Sequence, residues 1–248
     1  MQPLENATFR NTVILIVGLF LVWELAYLVV GDVALRSPWQ TVKFLGELMR
    51  TDLFWLHLAD SLKAFAVALA IAVVLGLLIG FALGLHRLSG EAMEPMLVAL
   101  YSIPKITLYP IILLAFGIGI SAKIAFGAIH GIIPVALFTL NAVRATRPIL
   151  IKTGRVLKLS PALMVREILF PAAVPEIFTG IRVGFSLTLI GTILGEMFAA
   201  QRGLGYMLMS AISLYNVDLI MSVTFLLIVL AASVNMALLV IDRRLHHG

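Results

Sequence analysis

The stretch "REILFPAAVPEIFTGIR", residues 166–182, places a charged run and two prolines, Pro171 and Pro175, directly in front of apolar sequence. Proline lacks an N–H and fits the first turn of a helix better than its interior. The stretch is therefore read as the end of a water-exposed element and the opening of a membrane helix. Working outward, the residues before it are polar and basic, and the residues after it are apolar.

That contrast recurs along the chain. The 248 residues are 61% hydrophobic and only 12% charged, with a mean hydropathy of +1.08. A soluble domain carries about 25% charged residues, so this chain has too much apolar surface for one soluble core. Cysteine is absent, which excludes a disulfide framework, a thiolate nucleophile and a cysteine metal site.

A bilayer crossing needs about 20 apolar residues. Six such runs are predicted, at 12–30, 59–85, 95–116, 121–143, 174–198 and 217–241, giving an all-α membrane protein. The run 12–30 follows a polar leader with Arg10 and is read as a retained helix, against a cleaved signal. In the third run Pro104 and Pro110 are expected to kink the helix. The chain divides into an N-terminal part, 1–57, and a core, 58–243.

The amino terminus, the loops 86–94 and 144–173 and the carboxyl tail fall on one side. They carry Arg10, Arg87, Arg144, Arg147, Lys152, Arg155, Lys158, Arg166, Arg243 and Arg244, ten of the eighteen Lys and Arg. The opposite loops hold Arg36, Lys43, Arg50, Lys123 and Arg202. The positive-inside rule then places both termini in the cytoplasm. Segment 37–52 repeats apolar residues at Trp39, Val42, Leu45 and Leu48, the pattern of a helix lying on the outer membrane surface.

Loop 144–173 has six basic residues against Glu167 and is read as a helical hairpin. Pro148 opens the first helix, Lys158-Leu159-Ser160 makes the turn, Ser160-Pro161 starts the second and Pro171 ends it. A basic hairpin can bind lipid headgroups, but a rigid protruding element suits the docking of a soluble partner better.

Counting back from Pro171, the loop resembles the cytoplasmic signature of permease subunits of binding-protein-dependent ABC importers: Glu-Ala-Ala, three residues, Gly, nine residues, Ile-x-Leu-Pro. Ile168, Phe170 and Pro171 match its tail, while Lys152, Thr153 and Gly154 stand at the Glu-Ala-Ala positions and Lys158 at the Gly. The blocks 103–119 (IPKITLYPIILLAFGIG), 170–184 (FPAAVPEIFTGIRVG) and 195–208 (GEMFAAQRGLGYML) look like the nitrate, sulfonate and bicarbonate branch of that family.

The resemblance implies a type I importer fold with a coupling-helix hairpin. It implies a homodimer in a bacterial cytoplasmic (inner) membrane, two ABC ATPase subunits holding ATP and Mg, and a soluble substrate-binding protein. Coupling would fall on Lys152, Thr153, Gly154, Arg155, Lys158, Leu159, Ser160, Pro161, Leu163 and Arg166. The solute would be a small anion, although the branch also includes pyrimidine and other ring-compound systems. Lys152 inverts the charge of the family's acid and calls for a compensating acid on the ATPase.

The chain itself has no GxxxxGK[ST] loop, so no bound cofactor and no enzymatic activity of its own are expected. Ionisable groups inside spans suggest function. Lys105, Tyr101, Glu196, His130 and Arg182 are therefore candidates for the path, and Gly203 and Gly205 for a turn or gate. For Glu196 a brace with Arg202 or another outer charge is favoured over substrate contact. Gly76, Gly80 and Gly84 form a small-residue stripe for helix packing. Two rivals are an intramembrane enzyme, for which no paired nucleophile and base or metal motif is visible, and an ion-coupled secondary carrier, for which no internal repeat is visible.

Overall fold

The computed structural model describes residues 2–247, and the side chains of 10–198 and 200–245. Every regular element among the described residues is helical. In chain order these are α1 (Gln2–Val30), α2 (Pro38–Leu48), α3 (Asp52–Leu85), α4 (Arg87–Ser102), a 3-10 turn (Lys105–Leu108), α5 (Tyr109–Phe116), α6 (Ile120–Arg144), α7 (Pro148–Val156), α8 (Pro161–Met164), a π-helical turn (Val165–Leu169), α9 (Phe170–Ala199), α10 (Leu204–Ser213) and α11 (Val217–His247).

Five stretches are long and apolar enough to cross a membrane: Arg10–Val30, Asp52–Leu85, Ile120–Arg144, Pro161–Phe198 and Val217–Leu245. Arg87–Ser102 and Lys105–Phe116 meet at 88°, so the described residues hold five such helices, or six where this bent pair counts as one broken span. The run expected as one kinked span at 95–116 is thus two helices, and the expected loop 86–94 is the beginning of α4. Pro104 cannot supply the N–H that would carry α4 onward, which accounts for the break.

Pro171 was expected to end the hairpin, and it does not. Helix continues from Pro161 through the π-helical turn into α9. The Phe170 N–H donates to the Val165 carbonyl, five residues back. This wider turn takes up the register change that a proline in continuous helix demands.

The chain packs as two units, Met1–Leu56 with Met207–Val229, and His57–Tyr206 with Leu230–Gly248. In the smaller unit, Ser37 and Gln40 form a reciprocal capping box at the start of α2. Arg36 binds Asp218 through Nε at 2.6 Å and Asp32 at 3.1 Å. Trp23 packs between Phe20 and Phe225 while its indole donates to the Arg36 carbonyl. Trp39 and Val42 of the amphipathic α2 stay exposed.

The larger unit is centred on α6, which α3 and α9 flank through small residues. Ala64, Ala68 and Ala72 of α3 are fully buried, and Gly76, Gly80 and Gly84 lie against Val135, Thr139 and Val143 of α6. Helices in lipid gain little from hydrophobic transfer, so close backbone approach over small residues has to hold them. A Cβ at Gly80 would strike the Thr139 side chain and the Ala136 carbonyl. Gly80→Ala is expected to cost about 1–3 kcal/mol by overpacking. Thermal unfolding of the purified protein in detergent checks this; an unchanged midpoint would refute the close approach.

Candidate functional site

Three arrangements in the larger unit bring the chemically active side chains together. The first lies at the turn from α9 to α10. Glu196 is fully buried in α9, and its Oε1 accepts from the Lys123 ammonium at 3.0 Å. Its Oε2 accepts from the Ser61 hydroxyl at 2.7 Å and the Gly205 N–H at 3.0 Å. Ser61 in turn accepts from the Leu204 N–H, and the Gly203 N–H donates to His57 Nδ1.

Gly203 holds a φ of +124°, a conformation that L side chains rarely adopt. A Cβ there would land on the Glu196 carboxylate. The partner of Glu196 is Lys123 of α6, expected in a loop but only 3% exposed. Lys123 is one of the outer charges expected as an alternative to Arg202, and Arg202 contributes its backbone carbonyl to Lys123 at 3.2 Å. Each oxygen of this carboxylate is occupied by protein donors, so the geometry is that of a brace.

Lys105 and His130 are also held by their own surroundings. The end of α4 leaves the Tyr101 carbonyl without its next-turn N–H, and the Lys105 ammonium donates to it at 3.1 Å, 5.4 Å from the Tyr101 ring centroid. A cation at a helix C-terminus is favoured by the helix dipole. His130 Nδ1 bonds to the Phe126 carbonyl of its own helix at 2.8 Å rather than across helices. Its ring packs edge-on against Phe126 and next to Gly191.

The second arrangement is a cavity of about 490 Å³ bounded by α4, α9 and α11, with Tyr101, Arg182, Ser186 and Asn235 on its walls. Arg182 approaches Asp242 of α11 at 3.4 Å, and the Thr179 hydroxyl donates to the other Asp242 oxygen at 2.9 Å. Asp242, Thr179, Ser186 and Asn235 escaped the sequence reading. An acid 60 positions from its arginine leaves no local spacing signal.

The third is the hairpin. The α7 helix closes with the Leu159 N–H donating to the Gly154 carbonyl and the Lys158 N–H to the Arg155 carbonyl, the paired bonds of a Schellman motif. That closure requires a left-handed residue, and Lys158 supplies it at φ 52°. A non-glycine residue there costs about 1 kcal/mol, which explains why glycine suits the position.

The Ser160 hydroxyl accepts from the Leu163 N–H at 3.3 Å and starts α8. Gly154 is buried against Met164 and Ile168, which locks the two arms together. Lys152, Thr153, Arg155, Lys158, Ser160, Pro161, Leu163 and Arg166 are exposed, and Leu159 is half-buried. Val156 and Leu157 at the tip are 80% and 64% exposed. At the root, Arg144 ties α6 to α4 through Glu94 at 2.7 Å and Glu91 at 3.5 Å.

The helical fold has counterparts among known proteins. Over 78% of this chain and 97% of the other, the fold superposes on a chain from an inward-facing structure of the MetNI methionine ABC transporter, with a TM-score of 0.68 and 23% identity. The taurine transport system permease protein TauC of Escherichia coli K12 is 28% identical, covering 98% of this chain and 90% of its own. The formylaminopyrimidine transport permease protein ThiX of Halalkalibacterium halodurans is 30% identical over 76% of this chain and 75% of its own. The nitrate import permease protein NrtB of Synechocystis is 33% identical over 68% and 60%.

The family model for binding-protein-dependent transport system inner membrane components matches residues 72–247, from the glycine stripe of α3 through Lys123, the hairpin, Glu196 and the cavity to the end of α11. The chain therefore belongs to that family, as an inner-membrane permease of the ABC importers.

Proposed function

We propose that this permease works as one of two copies through which a small oxyanion, such as a sulfonate or nitrate, enters the cell. A soluble binding protein delivers the solute, and two separate ATPase subunits supply ATP hydrolysis with their own ATP and Mg. The core 58–243 carries transport, and residues 1–57 are an accessory part. Both termini lie in the cytoplasm, on the side of the hairpin.

One observation carries the coupling role: the hairpin is internally rigid, yet offers its apolar tip and its bases outward. A Schellman closure, a serine cap and a buried glycine hold its shape without help from a partner. Exposed Val156 and Leu157 supply area for docking, and Lys152, Arg155 and Lys158 supply charge. A rigid lever transmits displacement to α6 and α9, between which it is strung. The anionic class is supported by the names of the taurine, sulfonate and nitrate relatives. ThiX favours a ring compound as the second reading.

Reconstitution of the permease with its ATPase and binding protein in proteoliposomes tests this. ATP hydrolysis should rise when liganded binding protein is added, and anion uptake should require ATP rather than an ion gradient. Lys152→Glu should weaken ATPase association about tenfold, with recovery when an acid on the ATPase is reversed. Uptake driven by an ion gradient with no ATPase present would overturn the reading.

A further inference from the structure

The cavity walled by Tyr101, Arg182, Ser186 and Asn235 holds a path candidate, Arg182, whose ion pair is long. The Lys123–Glu196 and Arg144–Glu94 pairs close to 3.0 and 2.7 Å. Arg36 reaches Asp218 at 2.6 Å. Arg182 and Asp242 stand at 3.4 Å, with the Arg182 side chain 24% exposed.

A guanidinium has five N–H donors in a planar fork, and it is costly to hold inside a membrane unless those donors are used. Here the fork borders open space of about 490 Å³. That size falls within the range of small-molecule sites, about 300–1,000 Å³. Ser186 and Asn235, which touch at 3.4 Å, place a hydroxyl and an amide on the same wall. The guanidinium and the second N–H of the Asn235 amide make a donor set for a planar or tetrahedral oxyanion, while the Ser186 hydroxyl donates to the Arg182 carbonyl at 3.4 Å.

We infer that this cavity is an oxyanion-binding site in which the anion takes over Arg182 from Asp242. The inference rests on the proposed import of an anion and assigns it a place. Asp242 acts as a stand-in anion: it neutralises Arg182 when the cavity is empty and yields when a sulfonate, nitrate or carboxylate group arrives. Thr179 keeps a hydrogen bond to the carboxylate, so Asp242 stays anchored beside Arg182 while the guanidinium turns toward the anion. Lys105, His130 and Glu196 are committed to backbone or side-chain partners elsewhere and do not border this cavity. The same chemistry would accept the phosphodiester of an anionic lipid, so the source must be separated by experiment.

The intact permease–ATPase assembly in phosphatidylcholine nanodiscs is titrated calorimetrically with ethanesulfonate, nitrate and acetate. At least one anion should bind, and Arg182→Gln should weaken it about tenfold or more, while Asp242→Asn should tighten it several-fold by releasing the guanidinium. Opposite effects of the two variants cannot arise from general loss of structure. The charge-neutral double variant R182Q/D242N guards against misfolding, and it should remain assembled without binding.

In discs containing phosphatidylglycerol, native mass spectrometry separates the two sources. Arg182-dependent lipid retention that the added anions do not displace identifies a headgroup as the occupant. Binding that neither variant alters, together with lipid retention independent of Arg182, overturns the inference. So does parallel weakening by both variants. Uptake assays in the same preparations keep the two proposals apart. Normal anion uptake by R182Q removes only the cavity assignment, whereas wild-type protein that imports none of the anions removes the anionic reading itself.

Discussion

Glu196→Ala is expected to destabilise the protein by about 3–5 kcal/mol, because it leaves the Lys123 ammonium buried without its counter-charge. Lys123 is 3% and Glu196 0% exposed, so water cannot take over the solvation of whichever partner remains. Two further donors, the Ser61 hydroxyl and the Gly205 N–H, lose their acceptor at the same time. For a chain of this length the loss corresponds to a fall of about 6–20 °C in Tm.

Removing both charges as Lys123→Met with Glu196→Leu should restore much of the loss, since a matched apolar pair avoids the uncompensated charge. Thermal unfolding of the four members of this cycle in detergent gives the coupling directly. Single variants within about 2 °C of wild type, or strictly additive effects, would remove Glu196 as the brace of the α9–α10 turn. Because Gly203 and Leu204 also depend on His57 and Ser61, hydrogen exchange at residues 203–205 should rise together in every destabilised member.

Val156→Asp with Leu157→Asp is expected to abolish ATPase docking while leaving the permease itself intact. Both side chains are largely exposed at the hairpin tip, so their replacement costs the isolated chain almost nothing. At an interface, each aspartate would be buried without a counter-charge, and a loss of about 2 kcal/mol apiece is roughly thirtyfold in Kd. Two together remove co-purification of the ATPase and ATP-driven uptake, with Tm unchanged. If the double variant still binds the ATPase and transports normally, the hairpin is not the coupling element. Gly154→Leu supplies the complementary result: it forces α7 away from Met164 and Ile168 of the second arm, and should uncouple transport while the tip side chains are unchanged.

The membrane spans were legible because hydropathy is a property of composition, which survives any arrangement of helices. The hairpin was legible because Pro148, Ser160, Pro161 and Lys158 act through local backbone geometry. Local rules failed at two prolines. Pro104 broke its span outright, and Pro171 did not end the hairpin, because the π-helical turn at 165–169 absorbed it. Whether a proline kinks, breaks or is absorbed depends on whether neighbouring turns can satisfy the freed carbonyls.

Sequence by itself determined that this is a multi-span helical permease with a protruding basic hairpin. Only the tertiary structure decided which charges meet. Lys123 was counted with the loops and lies buried on Glu196, 73 positions away; Arg182 finds Asp242 across 60 positions. Hydropathy and capping are set within a few residues of chain, whereas ion pairing inside a bundle is set by which helix faces approach over small residues. That approach is a property of the packed helices and has no local signature.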